Sequence, residues 1–137
     1  MDARLANDLG VSLNPWGSSA LDNSVAVLTD PLERTDFGVS CYFGGAAPSG
    51  RMALRALVQA RSIILLELAL RGANPEGRVY AAEGLARLGA LTNADLRVIE
   101  NLAATGVDVQ ECDGCIVTLT SARKLLERAV TIEDVEP

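Results

Sequence analysis

Two consecutive stretches decide the fold: Arg51-Met52-Ala53-Leu54-Arg55-Ala56-Leu57-Val58-Gln59-Ala60-Arg61-Ser62-Ile63-Ile64-Leu65-Leu66-Glu67-Leu68-Ala69-Leu70-Arg71, then Asn74-Pro75-Glu76-Gly77-Arg78-Val79-Tyr80-Ala81-Ala82-Glu83-Gly84-Leu85-Ala86-Arg87-Leu88-Gly89. The first holds no Gly or Pro, and Leu54, Leu57, Val58, Arg61 and Leu65 approximate one helical face. Its second half is apolar almost all round, which marks a helix contacted on several sides. Arg55, Arg61 and Glu67 interrupt it, so it does not read as a membrane span. The expectation is one central helix over 51–71, ended by Gly72.

The second stretch carries its own punctuation. Asn74 suits an N-cap, Pro75 the first helical position, Glu76 the positive end of the helix dipole, and Gly89 the position after the helix. Thr92 opens a third helix, with Asp95 in the capping-box position and Leu91 and Leu96 placed as a hydrophobic staple. Its apolar stripe is Leu96, Ile99, Leu102 and Ala103, and Gly106 closes it. The period then changes from 3.6 to 2 over 107–119. Asp113-Gly114 between two β-prone runs signals a hairpin with a type I′ turn. Thr120 or Ser121 caps a last helix, with Leu125, Leu126, Ala129 and Val130 inward; 131–137 is acidic and expected to fray.

Residues 1–50 differ from the rest. They are rich in turn formers, as in Asn14-Pro15-Trp16-Gly17 and Gly44-Gly45-Ala46-Ala47-Pro48-Ser49-Gly50. Two short apolar runs, Val25–Leu28 and Val39–Phe43, are candidate strands that could pair. The reading is therefore an α-rich chain with a minor β part: an irregular segment 1–50, then a helical domain 51–137 of about four antiparallel helices with the hairpin at 107–119.

A chain of 137 residues has room for one domain, and 49% hydrophobic residues with only 4% aromatic demand a core of Leu, Val, Ile and Ala. The absence of histidine removes His-based triads and His metal ligands. Serines without a histidine base, and a Gly44-Gly45 without a phosphate-loop lysine, leave no catalytic constellation. Glu76 and Glu83 stand seven apart on one helical face, too ordinary a spacing to make a dyad. No cofactor is expected.

Cys41, Cys112 and Cys115 are an odd number, which speaks for reduced thiols in a cytoplasmic protein rather than a secreted disulfide framework. Export of a mature form is compatible with the same residues. Cys112-Asp113-Gly114-Cys115 is the one motif with chemical potential. A zinc site needs four soft ligands, and only Cys41 remains. A thioredoxin-type site needs a helix after the motif, and Ile116-Val117-Thr118-Leu119 is β-prone. A disulfide across the hairpin is geometrically conceivable. The plain alternative is two small, partly buried residues at a tight turn.

The net charge of −6 is unevenly spread: −4 over 1–50, +3 over 51–90 and −5 over 91–137. An acidic balance excludes a general nucleic-acid binder. It suits a small non-catalytic binding protein, of the immunity or phage-inhibitor kind, that reaches a basic protein partner through Glu100, Asp108 and Glu111. A structural subunit of a homo-oligomer, or a thiol-redox protein using Cys112 and Cys115, are the alternatives. Residues 74–129 resemble uncharacterised small bacterial proteins whose core is a HEAT-like antiparallel helix pair. The resemblance rests on Gly77–Leu85 and on Gly114-Cys115-Ile116-Val117, and it implies a helical binding or structural domain rather than an activity.

Overall fold

The computed structural model describes residues 19–41, 45–114 and 116–131. Among them the elements run α1 Ser19–Thr29, α2 Ser49–Gln59, α3 Ile63–Leu70, α4 Pro75–Arg87, α5 Asn93–Ala104, β1 Asp108–Asp113, β2 Ile116–Ser121 and α6 Ala122–Val130. The helix-rich architecture with one small antiparallel sheet is as expected, but the described helices number six rather than four.

The central helix is α4, not the 51–71 stretch. Ten of its residues, from Glu76 to Ala86, are buried. It packs against α1, α2, α3, α6 and β1. Small residues permit this crowding. A Cβ on Gly77 would overlap the carbonyl oxygen of Leu28 at the end of α1, and one on Gly84 would lie 2.7 Å from Leu54 Cδ1. Around α4 the core is aliphatic, with Leu28, Leu54, Leu57, Leu65, Leu66, Leu70, Leu85, Leu125 and Leu126 all sequestered.

The expected single helix 51–71 is two helices. Arg61 adopts φ +53°. Its amide donates to Val58 O at 2.9 Å, and Ser62 N donates to Leu57 O at 2.9 Å. That is a Schellman ending with arginine in the left-handed position usually held by glycine. The chain turns there, so α2 and α3 both pack on α4, which a straight helix could not do. Gly89, at φ +63°, closes α4 with the same pattern: Gly89 N to Ala86 O and Ala90 N to Leu85 O.

The helix starts fall where their caps place them. Asn74 Oδ1 accepts from Gly77 N at 2.9 Å. Thr92 and Asp95 form the reciprocal capping box. Ser121, rather than Thr120, caps α6. Leu96, however, stands 43% exposed, outside the stripe assigned to it.

The expected strand at Val25–Leu28 is instead the second half of α1. Leu21, Ser24, Val25 and Leu28 recur at helical spacing and face inward, and Leu28 is fully buried. The second expected strand, 39–43, is described only to Cys41. Residues 37–41 run parallel beside β1, held by bridges from Phe37 to Glu111 and from Cys41 to Gly114. The calls on 1–18, 42–44 and 132–137 lie outside the described residues.

The hairpin forms where expected, with its turn one residue further along the chain. Asp113 pairs with Ile116 and Cys112 with Val117, so β1 runs on through Asp113 and Gly114, at φ +60°, opens the turn instead of closing it.

Candidate functional site

Helix α4 presents Glu76, Tyr80 and Glu83 at i, i+4 and i+7, all facing the 30–41 loop. Glu76, fully buried, takes both Arg34 Nε (3.0 Å) and Arg34 Nη2, while Gln110 N donates to it at 2.8 Å. The Arg34 guanidinium is held above its ordinary range, chiefly by the hydrogen bonds to Glu76. Arg34 Nη2 also donates to Asp108 O at 3.1 Å, linking loop, helix and strand.

Tyr80 OH donates to Asp36 O at 2.5 Å and accepts from Gly38 N at 3.0 Å. Burial pushes its phenol up to about 12, so it remains a proton donor throughout the physiological range. Its ring lies 4.6 Å from that of Phe37, and the Arg51 guanidinium sits 4.9 Å from the Tyr80 centroid.

Glu83 receives Arg51 Nη1 and Nη2 and, at 3.0 Å, Arg87 Nε. Arg51 Nε donates to Gly38 O at 2.8 Å. The two glutamates are thus not a dyad. Their oxygens are occupied by guanidinium groups and a backbone amide, which leaves neither free to take a proton from a substrate. The stripe is a clamp: it fastens residues 34–38 to α4 with charge-assisted bonds, the Arg51–Glu83 pair away from water and Arg34 reaching buried Glu76 from a partly exposed position.

A covalent tie completes the clamp. Cys41 and Cys112 form a disulfide, their Cα atoms 5.6 Å apart and 71 residues apart in sequence. This departs from the expectation of reduced thiols at Cys41 and Cys112. The displaced turn sets Cys112 opposite Val117, and Gly38 leaves room for the bond, since a Cβ there would collide with both sulfurs. Cys115 lies outside the described residues. Among the described residues no three potential metal ligands gather.

The three acids expected to meet a partner are differently placed. Glu100 points outward from α5 beside a hollow of about 360 Å³ lined also by Ala103, Arg123 and Glu127. Asp108 is exposed at the start of β1. Glu111 turns inward: Thr120 Oγ1 donates to it at 2.7 Å and Arg128 Nη2 at 2.8 Å. Burial works to raise its carboxyl, but those two donors prevail and hold it below its usual range. Asp108 and Glu111 share a strand, while Glu100 belongs to a separate helix.

The surface feature that composition did not single out is β2. Strand β1 is bonded along both edges, because Phe37 N donates to Gln110 O (2.7 Å), Cys112 N to Phe37 O (2.9 Å) and Gly114 N to Ser40 O (3.2 Å). Among the described residues, nothing outside the hairpin bonds to 116–120. Ile116, Val117 and Leu119 are 65%, 46% and 64% exposed. The signal was present in the sequence: a half-buried strand alternates apolar and polar, whereas Ile116-Val117-Thr118-Leu119 puts apolar residues on both faces, and no charge occurs from Ile116 to Ala122. A second exposed apolar patch, Ile63, Ile64 and Leu68 on α3, lacks any unpaired backbone edge.

No family model, curated protein or solved structure matches the chain.

Proposed function

We propose that this protein is a non-catalytic protein-binding module whose docking element is the free edge of β2. The observation that carries the reading is the contrast between buried glutamates paired with arginines and a surface strand that is apolar and, among the described residues, unpaired along its outer edge. Exposed edge strands invite pairing, and proteins that do not use them blunt them with charge, proline or a covering segment. From Ile116 to Thr120 this strand has no charge and no proline, and among the described residues no segment covers it. The disulfide and the arginine clamp hold β1 rigid behind it, so the edge is presented in a fixed shape and little ordering entropy is lost on binding.

A thiol-redox role has less support, since Cys41 and Cys112 are both buried and reactive cysteines sit in accessible, electropositive places. The disulfide also weighs against the cytoplasmic expectation, because such bonds persist in oxidising surroundings. No helix among the described residues is long and apolar enough to cross a membrane.

Docking by charge to a basic protein is the second reading, favoured by exposed Glu100 and Asp108. Affinity capture with wild-type and variant baits separates the two. Edge docking requires that Leu119→Lys abolish capture while the Glu100→Gln, Asp108→Asn pair retains it. Loss in the neutralised pair alone, with association weakened by salt, transfers the site to the acidic surface.

A further inference from the structure

We infer that the hollow between α2, the last turn of α4 and Val39 binds a small organic monoanion, a carboxylate carried on a short apolar body. The site is separate from β2 and stands or falls independently of edge docking.

Helix α2 builds most of it. Arg51, Leu54, Arg55, Val58 and Gln59 recur at i, i+3, i+4, i+7 and i+8, which is one helical face. With Val39 and Arg87 they line a hollow of about 420 Å³, within the ~300–1,000 Å³ of small-molecule sites. Among the described residues no carboxylate lines it. A basic hollow runs against the net charge of −6, and it draws on the +3 carried by 51–90.

Two guanidinium groups there hold unused donors. Arg51 is only 5% exposed. Of the five N–H groups of a guanidinium, Arg51 gives one from Nε to Gly38 O and one each from Nη1 and Nη2 to Glu83. The other two meet no acceptor among the described residues, an unmet demand on a buried cation. Arg55, one turn further, is exposed and bonds no described residue. Glu83 also accepts from Arg87 Nε at 3.0 Å, so one carboxylate holds both Arg51 and Arg87 in place. Of the three arginines, Arg55 is the one left for a ligand to order, which keeps the cost of binding low. Arg51 borders a second hollow, of about 440 Å³, but Glu83, Glu111 and Asp113 line that one and would repel an anion.

The lining selects the ligand. A carboxylate offers two coplanar acceptors that match the forked donors of a guanidinium. Leu54, Val58 and Val39 supply an apolar wall, and Val39, 60% exposed, would be covered by a short alkyl body. A monoanion is favoured over a phosphate dianion, because the field of a chain with net charge −6 opposes a double charge about twice as strongly and its desolvation costs more.

Hexanoate, titrated into the full chain and followed by amide chemical shifts, should give saturable changes centred on Val39, Arg55 and Val58. A dissociation constant of about 0.1–1 mM is expected for so small a ligand. Arg55→Gln should weaken binding at least ~10-fold. Gln59→Glu should weaken it similarly, since the new carboxylate stands four residues from Arg55 and competes for it. Arg97→Gln, at an exposed arginine of α5 away from the hollow, should bind as wild type. Circular dichroism should show all three variants folded, because all three side chains are exposed. Hexanol, the same body without the charge, should bind at least ~10-fold more weakly than hexanoate. The absence of saturable shifts up to about 10 mM hexanoate overturns the site. So does equal binding of hexanol, which leaves only an apolar hollow, or equal weakening by Arg97→Gln, which leaves only general charge attraction. Inorganic phosphate that displaces hexanoate at equal concentration overturns the monocarboxylate assignment.

Discussion

Helix α4 and strand β2 invert the usual distribution of polarity. The helix buries two glutamates and a tyrosine at the centre of the molecule; the strand exposes isoleucine, valine and leucine at its edge. Each is explained by what lies beside it. The polar groups of α4 are tolerated because three arginines, a backbone amide and a loop carbonyl take up their bonding capacity. The apolar residues of β2 stay outside because β1 is already covered on its far edge by 37–41, leaving β2 as the outer strand. Inside, polarity secures one conformation of a loop that has little apolar material to anchor it; outside, the lack of polarity leaves a strand able to pair.

The sharpest way to break the contrast is to strip α4 of a partner. In Glu83→Ala, Arg51 stays buried with Gly38 O as its one remaining hydrogen-bond acceptor among the described contacts. Removing one member of a buried ion pair typically costs about 3–5 kcal/mol, and urea titration should show it as a lower midpoint. Glu83→Gln, which keeps shape and an acceptor, should cost less. Equal costs would mean that Arg51 escapes to solvent and that the interior is not as closed as the clamp requires.

Removing the covalent tie comes next. The Cys41→Ala, Cys112→Ala double variant should lose about 2–4 kcal/mol, the typical cost of losing a disulfide that closes a long loop. Titration with and without a thiol reductant should show the same loss for wild type and none further for the variant. An insensitive wild type would leave the loop held by the arginines alone.

Much of this architecture was legible in the sequence. Asn74-Pro75, Thr92 with Asp95, Ser121 and Gly89 announced the ends of α4, α5 and α6 because capping is local: a side chain bonds a backbone group within three or four residues. Gly114 marked the turn for the same reason, although the extent of β1 moves the turn on by one residue. The illegible parts depend on contacts far apart in the chain. Val25–Leu28 reads as β-prone by composition, yet α1 is fixed by its packing on Gly77. Cys41 finds Cys112 only once 37–41 lies along β1. Of the expected partner acids, Glu111 bonds Arg128 and Thr120, 17 and nine residues away, too far along the chain to leave a local signal. The break at Arg61 was hidden because an arginine stands where the sequence rule looks for glycine.

That last point is testable at smaller scale. Arg61→Gly relieves a non-glycine residue in left-handed backbone at the price of a more flexible unfolded chain, and should stabilise by up to about 1 kcal/mol. Gly89→Ala, at the matching position of α4, should destabilise by a similar amount; a Cβ there meets nothing within 4 Å, so the backbone term is isolated. A destabilised Arg61→Gly would show that the arginine side chain, not the backbone, ends α2.

Acid should act on the hairpin more gently. Glu111 has its carboxyl held below the ordinary value. Its contribution is present above the unfolded value of about 4.3 and is lost as pH falls through the lower folded one. Thermal midpoints measured from neutral pH to about pH 3 should fall less steeply in Glu111→Gln than in wild type. The pair is partly exposed, so the difference should stay under about 1 kcal/mol.

The smallest effect expected is the one that tests the outer half of the contrast. Leu119 is nearly two-thirds exposed and stands opposite Gln110 rather than over the core. Its replacement by lysine forfeits little buried area. The aliphatic stem of lysine covers much of the same surface, and the modest loss of strand propensity is set against one more polar group in water. Folding stability in dilute solution should therefore change by no more than about 0.5 kcal/mol, the range of ordinary surface substitutions. Val109→Ala, one strand away but fully buried, should cost several times as much. If Leu119→Lys instead matches Val109→Ala in a dilute monomer, Leu119 is covered within its own chain and β2 is no free edge. If only the concentrated protein is destabilised, the leucine is buried between molecules, and its exposure in the single chain is the mark of an interface.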